Sequence, residues 1–232
     1  MELDRKSFLV GATAALLTPS QVALARQRPI SQLPSSKTKR FAWTIDDGVS
    51  NRAVKHYLDL VEKRDLHLTF FVTSCYPSWR KNKSQILDLV EQGKLQLANH
   101  TVSHRDLTTS SDPIVKSQLK GCHNFLLDTF GVDARPYFRP TYGYWTKHLI
   151  KLAAELGYTV PVMWYGSLGD GYNRGKNSTL NLADKWIVNG RIVIDHANVP
   201  KSSHDLLRIT EIIQRRGLKA VTLREAFGEN FS

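Results

Sequence analysis

The sequence predicts an α/β domain built on a parallel sheet of about seven strands, with helices covering both faces. Two observations carry this. From residue 40 onward, short runs rich in β-branched and aromatic residues alternate with segments of helical period. Polar residues able to do chemistry then fall at the strand ends. Asp46 and Asp47 close the first strand, His100 the third, Arg139 the fourth and His196 the sixth, and Asp170 follows the fifth. In a barrel of parallel strands those ends share one face, the face on which active sites form. No Gly-x-Gly-x-x-Gly turn follows the first strand, which disfavours a dinucleotide fold, and no Gly-Lys-Ser/Thr phosphate loop is present.

The elements follow in order. Phe41 to Ile45 is a short apolar strand, and Asn51 to Lys63 a helix through Val54, Tyr57, Leu58 and Val61. Leu66 to Val72 is the second strand, Lys83 to Glu91 a helix closed by Gly93, and Leu95 to Ala98 the third strand. Asp112 to Phe130 is a long amphipathic helix, with Asp112 as N-cap candidate, Pro113 at the first helical position and Gly131 after its end. Tyr137-Phe138 is a very short fourth strand, and Thr146 to Leu156 a helix stopped by Gly157. Val160 to Trp164 is the fifth strand, Gly166 to Asn177 a Gly-rich loop, and Leu180 to Val188 a helix. Ile192 to Ile194 is the sixth strand, Ser203 to Arg216 a helix ended by Gly217, and Ala220 to Leu223 the seventh strand.

The N-terminal residues read as an export signal over 1–25. Arg5 and Lys6 precede an apolar stretch from Phe8 to Leu17, and Ala23-Leu24-Ala25 forms a small-residue cleavage site. The apolar run is too short for a membrane span. Arg5-Lys6-Ser7-Phe8-Leu9 resembles a twin-arginine signal with Lys in the second basic place, so both export routes stay open. Residues 26–38, rich in Ser, Pro, Gln and basic side chains, read as a linker, and 39–228 as one domain large enough for a substantial core. Such a protein belongs in the periplasm, the cell envelope or outside the cell. The 232 residues carry a formal net charge of +11. That charge favours anionic wall polymers or headgroups as a partner surface. No nucleic-acid recognition motif appears. Cys75, after a strand, and Cys122, mid-helix, sit in different units and read as free thiols.

Thr44-Ile45-Asp46-Asp47-Gly48 and His100-Thr101-Val102-Ser103-His104 together offer two imidazoles and one carboxylate for a metal, with a second carboxylate spare for acid/base work. That is the ligand count of a catalytic zinc site. Four-residue spacing places the two imidazoles on one face of a helical turn. From these residues alone either aspartate can take either role.

Four ordered motifs resemble the NodB-homology polysaccharide deacetylases of carbohydrate esterase family 4. They are Thr44-Ile45-Asp46-Asp47-Gly48, His100-Thr101-Val102-Ser103-His104, Arg139-Pro140-Thr141-Tyr142-Gly143 and Ile194-Asp195-His196. The resemblance spans residues 38 to 226 and implies a distorted parallel (β/α) barrel with fewer than eight strands. It implies metal-dependent removal of N-acetyl, sometimes O-acetyl, groups from glycans. By the same resemblance Asp47, His100 and His104 hold one divalent ion, zinc or else cobalt or nickel. Asp46 is the general base, paired with Arg139. The Tyr142 N–H holds the oxyanion, and His196, oriented by Asp170, is the general acid. Ile194 lines the acetyl-methyl pocket, and Tyr142, Tyr144 and Trp145 can stack on a pyranose ring.

The family's remaining motif is altered. After Trp164 stand Ser167, Asp170 and Gly171, with Gly171 where a Trp is usual and Tyr172 able to substitute. Asp195 beside His196 is unusual, and strand alternation turns it away from the site. Three readings therefore stand side by side: an N-deacetylase on an acetylated polysaccharide, an O-acetyl esterase on a glycan such as acetylxylan, and a wall-glycan-binding protein with impaired catalysis. His56, His67, His123, His148 and His204 lack motif context and read as surface or satisfied residues.

Overall fold

The computed structural model describes residues 28–169 and 178–228. The export-signal stretch, Asp170, Gly171 and Tyr172 lie outside the described residues. Among the described residues, eight strands and eight α-helices follow one another in chain order. They run β1 Arg40–Asp47, α1 Asn51–Arg64, β2 Leu68–Val72, α2 Ser78–Lys81, α3 Lys83–Glu91, β3 Leu95–Asn99, α4 Asp112–Phe130 and β4 Tyr137–Phe138. After a 3-10 turn at Thr141–Gly143 come α5 Lys147–Ala154, β5 Val160–Pro161, β6 Gly166–Ser167, α6 Ser178–Trp186, β7 Ile192–His196, α7 Ser203–Arg215, β8 Lys219–Ala220 and α8 Leu223–Phe227. Neighbours in the sheet follow the order β5-β4-β3-β2-β1-β7-β6, with β8 beside the start of β1, and every pairing is parallel.

Strand alternation sorts the apolar residues into two layers. Phe41, Trp43 and Ile45 of β1, Phe70 and Val72 of β2, and Val193 of β7 face the helices and pack with Val54, Tyr57, Leu119 and Ile209. The intervening residues, among them Ala42, Phe71, Ala98, Tyr137 and Ile192, fill the lumen. Leu223, Ala226 and Phe227 of α8 pack into that same cluster. They stopper the lumen at the end where the strands begin, because β8 pairs there with Arg40 and Phe41. The chemistry is left to the opposite end.

The sheet does not close by strand pairing between β5 and β6. Residues 30–33 fill the gap instead. The Ile30 N–H donates to Pro161 O at 2.9 Å, Met163 N–H donates to Ile30 O at 2.7 Å, and Leu33 N–H donates to Gly190 O at 2.9 Å. Ile30 and Leu33 are buried. The packed unit therefore begins before residue 39, and this part of the expected linker is a structural strap.

Several sequence expectations shift. β6 lies inside the expected Gly-rich loop, where two residues are too few to show a period. Thr222 caps α8 rather than extending the last strand; its side chain accepts from Glu225 N, and Glu225 returns the bond. The N-cap of α4 is Ser111 rather than Asp112, which lies in the first turn ahead of Pro113. Gly131 ends α4 at φ 68, the left-handed geometry expected of a C-terminal glycine. Cys75 and Cys122 are both free thiols, as expected.

Candidate active site

The site forms where β1, β3, β4 and β7 end. Asp46 stands in register with Phe71 on one side and His196 on the other, so both neighbours present side chains to the same lumen. Asp47 leaves the strand in a left-handed conformation, φ 72, and Gly48 follows at φ 96. The turn needs that glycine. A Cβ on Gly48 would lie 2.2 Å from Trp79 Cζ2, and Trp79 is locked by its indole N–H donating to Thr73 O at 3.0 Å. Adjacent carboxylates would alternate across a regular strand; this turn lets both reach one place.

His100 and His104 are brought together by a loop, which corrects the helical turn expected from their spacing. No helix forms between them, and Thr101 and His104 adopt φ 72 and φ 54. Asn99 Oδ1 accepts from Thr101 N at 2.9 Å, and Thr101 Oγ1 accepts from His104 N at 3.1 Å. These local bonds hold the reversal, so the rings meet edge-on with centroids 5.0 Å apart.

Asp47, His100 and His104 offer ligand atoms that lie within 4.8 Å of one another. Asp47 Oδ1 is 3.5 Å from His100 Nε2 and 3.3 Å from His104 Nε2. His100 Nδ1 is 2.8 Å from the Arg139 carbonyl oxygen, which can only accept, so Nδ1 carries a proton and Nε2 is the ring nitrogen turned to the carboxylates. Burial, reinforced by the neighbouring His100, holds His104 below the ordinary histidine pKa against the pull of Asp47 and Asp46. Asp47 Oδ2 accepts from Asn198 Nδ2 at 2.6 Å, whereas Oδ1 is buried without a hydrogen-bond partner. Ring nitrogens converging on an unpartnered buried carboxylate oxygen are a geometry that a cation satisfies. The donor set thus fits a divalent metal.

Asp46 is engaged differently. Arg139 Nη1 donates to its Oδ1, and its Oδ2 lies 3.5 Å from His100 Nε2. Arg139 is wholly buried. Its Nε and Nη2 donate to Val162 O and Met163 O at 3.1 and 3.2 Å, and it stacks 4.0 Å over the Phe71 ring. Burial lowers the guanidinium pKa, and the Asp46 charge opposes the shift. Such a fixed cation orients one carboxylate oxygen and leaves the other facing His100.

Past Arg139 the chain turns sharply. Tyr142 has φ 59 and Gly143 φ 71, and a Cβ on Gly143 would meet Trp164 at 2.8 Å. Tyr142 lays its ring edge on His104, centroids 4.5 Å apart, and stands 5.7 Å from the Tyr144 ring. Tyr142, Tyr144 and Trp145 are large apolar side chains exposed at the rim. Ile194 is buried, two residues before His196 on the same strand face, and Asp195 points to the helix layer as alternation requires. The histidines outside the motifs have partners: His56 with Lys201 O, His67 with Glu225, His123 with Tyr158, His148 with Asp112 and His204 with Asp205.

Sequence reasoning missed Asn198 and Lys201. Asn198 stands two residues after His196, a spacing that could have drawn attention to it. Lys201 carries no local signal.

A family model described as polysaccharide deacetylase matches residues 34–161. A peptidoglycan-N-acetylglucosamine deacetylase of Listeria monocytogenes is 27% identical over 205 residues, covering 86% of this chain and 41% of its own length. The chain spans less than half the length of the first curated relatives it matches. Among solved structures, a family 4 carbohydrate esterase of Bacillus subtilis, PdaA, superposes with TM-score 0.74 at 22% identity, covering 89% of this chain and 87% of that one. A family 4 pseudoenzyme of Bacillus anthracis gives 0.73 at 22%, covering 88% and 70%. Both likenesses establish the distorted barrel.

Proposed function

This chain belongs to the polysaccharide deacetylase family. On that premise we propose that it is an exported, metal-dependent hydrolase that removes N-acetyl groups from a polysaccharide containing N-acetylglucosamine, peptidoglycan or a chitin-like chain. The observation that carries the reading is the convergence of Asp46, Asp47, His100, His104, Arg139 and His196 on one strand-end face, around an unpartnered Asp47 oxygen. Two kinds of relative support the substrate class: peptidoglycan deacetylases and a chitooligosaccharide deacetylase.

Asp47, His100 and His104 hold the ion, and imidazole with carboxylate suits zinc, with cobalt or nickel as substitutes. Bound there, a divalent ion supplies a Lewis acid that polarises the acetyl carbonyl and acidifies water. Asp46 takes the proton of the attacking water, its carboxylate held in place by Arg139. The Tyr142 N–H donates to the oxyanion as the carbonyl becomes tetrahedral; losing such a donor costs about 3 kcal/mol. His196 gives a proton to the nitrogen as the C–N bond breaks, and Asp170 orients it. Ile194 lines the space for the acetyl methyl group. Tyr142, Tyr144 and Trp145 receive the sugar ring and the chain beyond it. The positive charge of +11 draws the protein to anionic wall polymer.

Acetate release from N-acetylglucosamine oligomers, peptidoglycan and acetylxylan tests this. Faster turnover of the amides supports N-deacetylation, faster turnover of the ester supports an esterase, and no release from any of them with metal bound defeats both. The altered motif around Gly171 favours a third outcome, glycan binding without turnover. Binding left unchanged by Asp46→Asn in an inactive wild type would establish it.

A further inference from the structure

Behind His196, on the side of β7 away from the lumen, lies a buried charged cluster with no part in the reaction set out above. Asp195 is fully buried in the layer between sheet and helices, on the face that Val193 shares. An ionised carboxylate is strongly disfavoured there unless it is paired and hydrogen-bonded. Both of its oxygens are engaged. Oδ1 pairs with Lys201 Nζ and accepts the His196 N–H at 3.0 Å. Oδ2 accepts the Tyr57 hydroxyl at 2.6 Å. Burial first, and then the Asp195 charge, push the Tyr57 pKa well up, so the hydroxyl stays a donor.

Lys201 is itself only 8% exposed. Its ammonium also reaches Gly169 O at 3.5 Å, the residue before Asp170, and its own carbonyl lies 3.0 Å from His56 Nδ1 on α1. One carboxylate–ammonium pair thus ties together the strand end bearing His196, the loop that leads into Asp170, helix α1 and the β7–α7 connection. Apolar side chains of similar volume would stabilise this spot as well or better. What the pair adds is direction, since each bond fixes main chain next to a group that must aim.

We propose that Lys201 and Asp195 are positioning residues for His196. The pair holds the end of β7 against Gly169, so that the His196 imidazole meets the leaving group in one arrangement. This rests on the reading of His196 as the general acid. Neither Lys201 nor Asp195 touches substrate.

The test uses Lys201→Met and the double variant Asp195→Leu/Lys201→Met in the full zinc-loaded chain. Displacing a catalytic group by about 1 Å is worth about 100-fold in rate, so kcat for acetate release is expected to fall about that much in Lys201→Met. KM and zinc affinity should stay within about twofold of wild type, since ground-state binding is untouched. The double variant removes both buried charges and leaves no orphan, so it is expected to resist unfolding as well as wild type while keeping the kcat deficit. Wild-type kcat in the double variant would overturn the proposal, as would a Lys201→Met loss that falls equally on KM or zinc affinity. A wild type that releases no acetate defeats the deacetylase reading instead. The His196 ring resonances then still decide: a single ring environment in wild type that splits or broadens in the double variant supports positioning, and identical spectra overturn it.

Discussion

Asp46 and Asp47 are neighbours in sequence and both approach His100, yet their side chains are otherwise held by different partners. Arg139 engages Asp46, while Asn198 holds one oxygen of Asp47 and leaves the other facing two imidazoles. Asp46→Asn is therefore predicted to keep zinc bound while turnover falls by about 100-fold or more, the weight of a positioned base. Asp47→Asn is predicted to lose both. Equilibrium dialysis beside an acetate assay separates the two. The thiols differ as sharply. Cys122 is buried and desolvation pushes its pKa up to about 12, while Cys75 is exposed. A thiol reagent at neutral pH should titrate Cys75 alone in the native protein and both residues after denaturation.

At the level of elements, the β1–α1 turn and the strap at residues 30–33 decide how the site is held. Gly48→Ala places a Cβ inside the Trp79 ring at a positive φ, so it is predicted to destabilise the fold by about 2–4 kcal/mol, measured by urea unfolding. Much of this level was legible beforehand. α3 has the bounds expected for it, and β1, β3 and β7 end where their polar residues announced, because long periodic segments and strand-end chemistry leave local marks. The rest depended on partners distant in sequence. Ile30 and Leu33 sit in a stretch whose Ser and Pro content reads as linker, yet they bond to residues more than a hundred positions away. The four-residue spacing of His100 and His104 suits a helix, but the side chains of Asn99 and Thr101 compete for the backbone and fold a loop instead. Asn198 likewise acts on Asp47, 151 positions away, whereas Lys201 meets Asp195 six residues back across an irregular connection that carries no period.

Across the whole molecule, the parallel barrel puts its apolar stopper at one end and its titratable groups at the other, and two linked behaviours follow. His104 and His123 are both held below the ordinary histidine pKa, chiefly by burial. A depressed folded-state pKa favours the neutral ring, so its stabilisation is complete above the unfolded value and is lost as pH falls through the folded one. The metal-free protein should therefore lose thermal stability as pH falls below about 6.5, and His123→Gln should blunt the loss. Zinc at neutral pH should raise Tm, since it binds the folded chain alone. The excess of positive charge predicts that association with anionic wall polymer weakens with added salt. The strand-end cluster, on the function proposed above, is a metal-dependent deacetylase centre. The most direct measurement is acetate release from N-acetylglucosamine oligomers by chelator-stripped protein titrated with zinc. Release that is absent without metal, saturates near one zinc per chain and vanishes in Asp46→Asn with zinc still bound is the predicted result. Undiminished release from stripped protein, or none with zinc bound on any acetylated glycan, would contradict it.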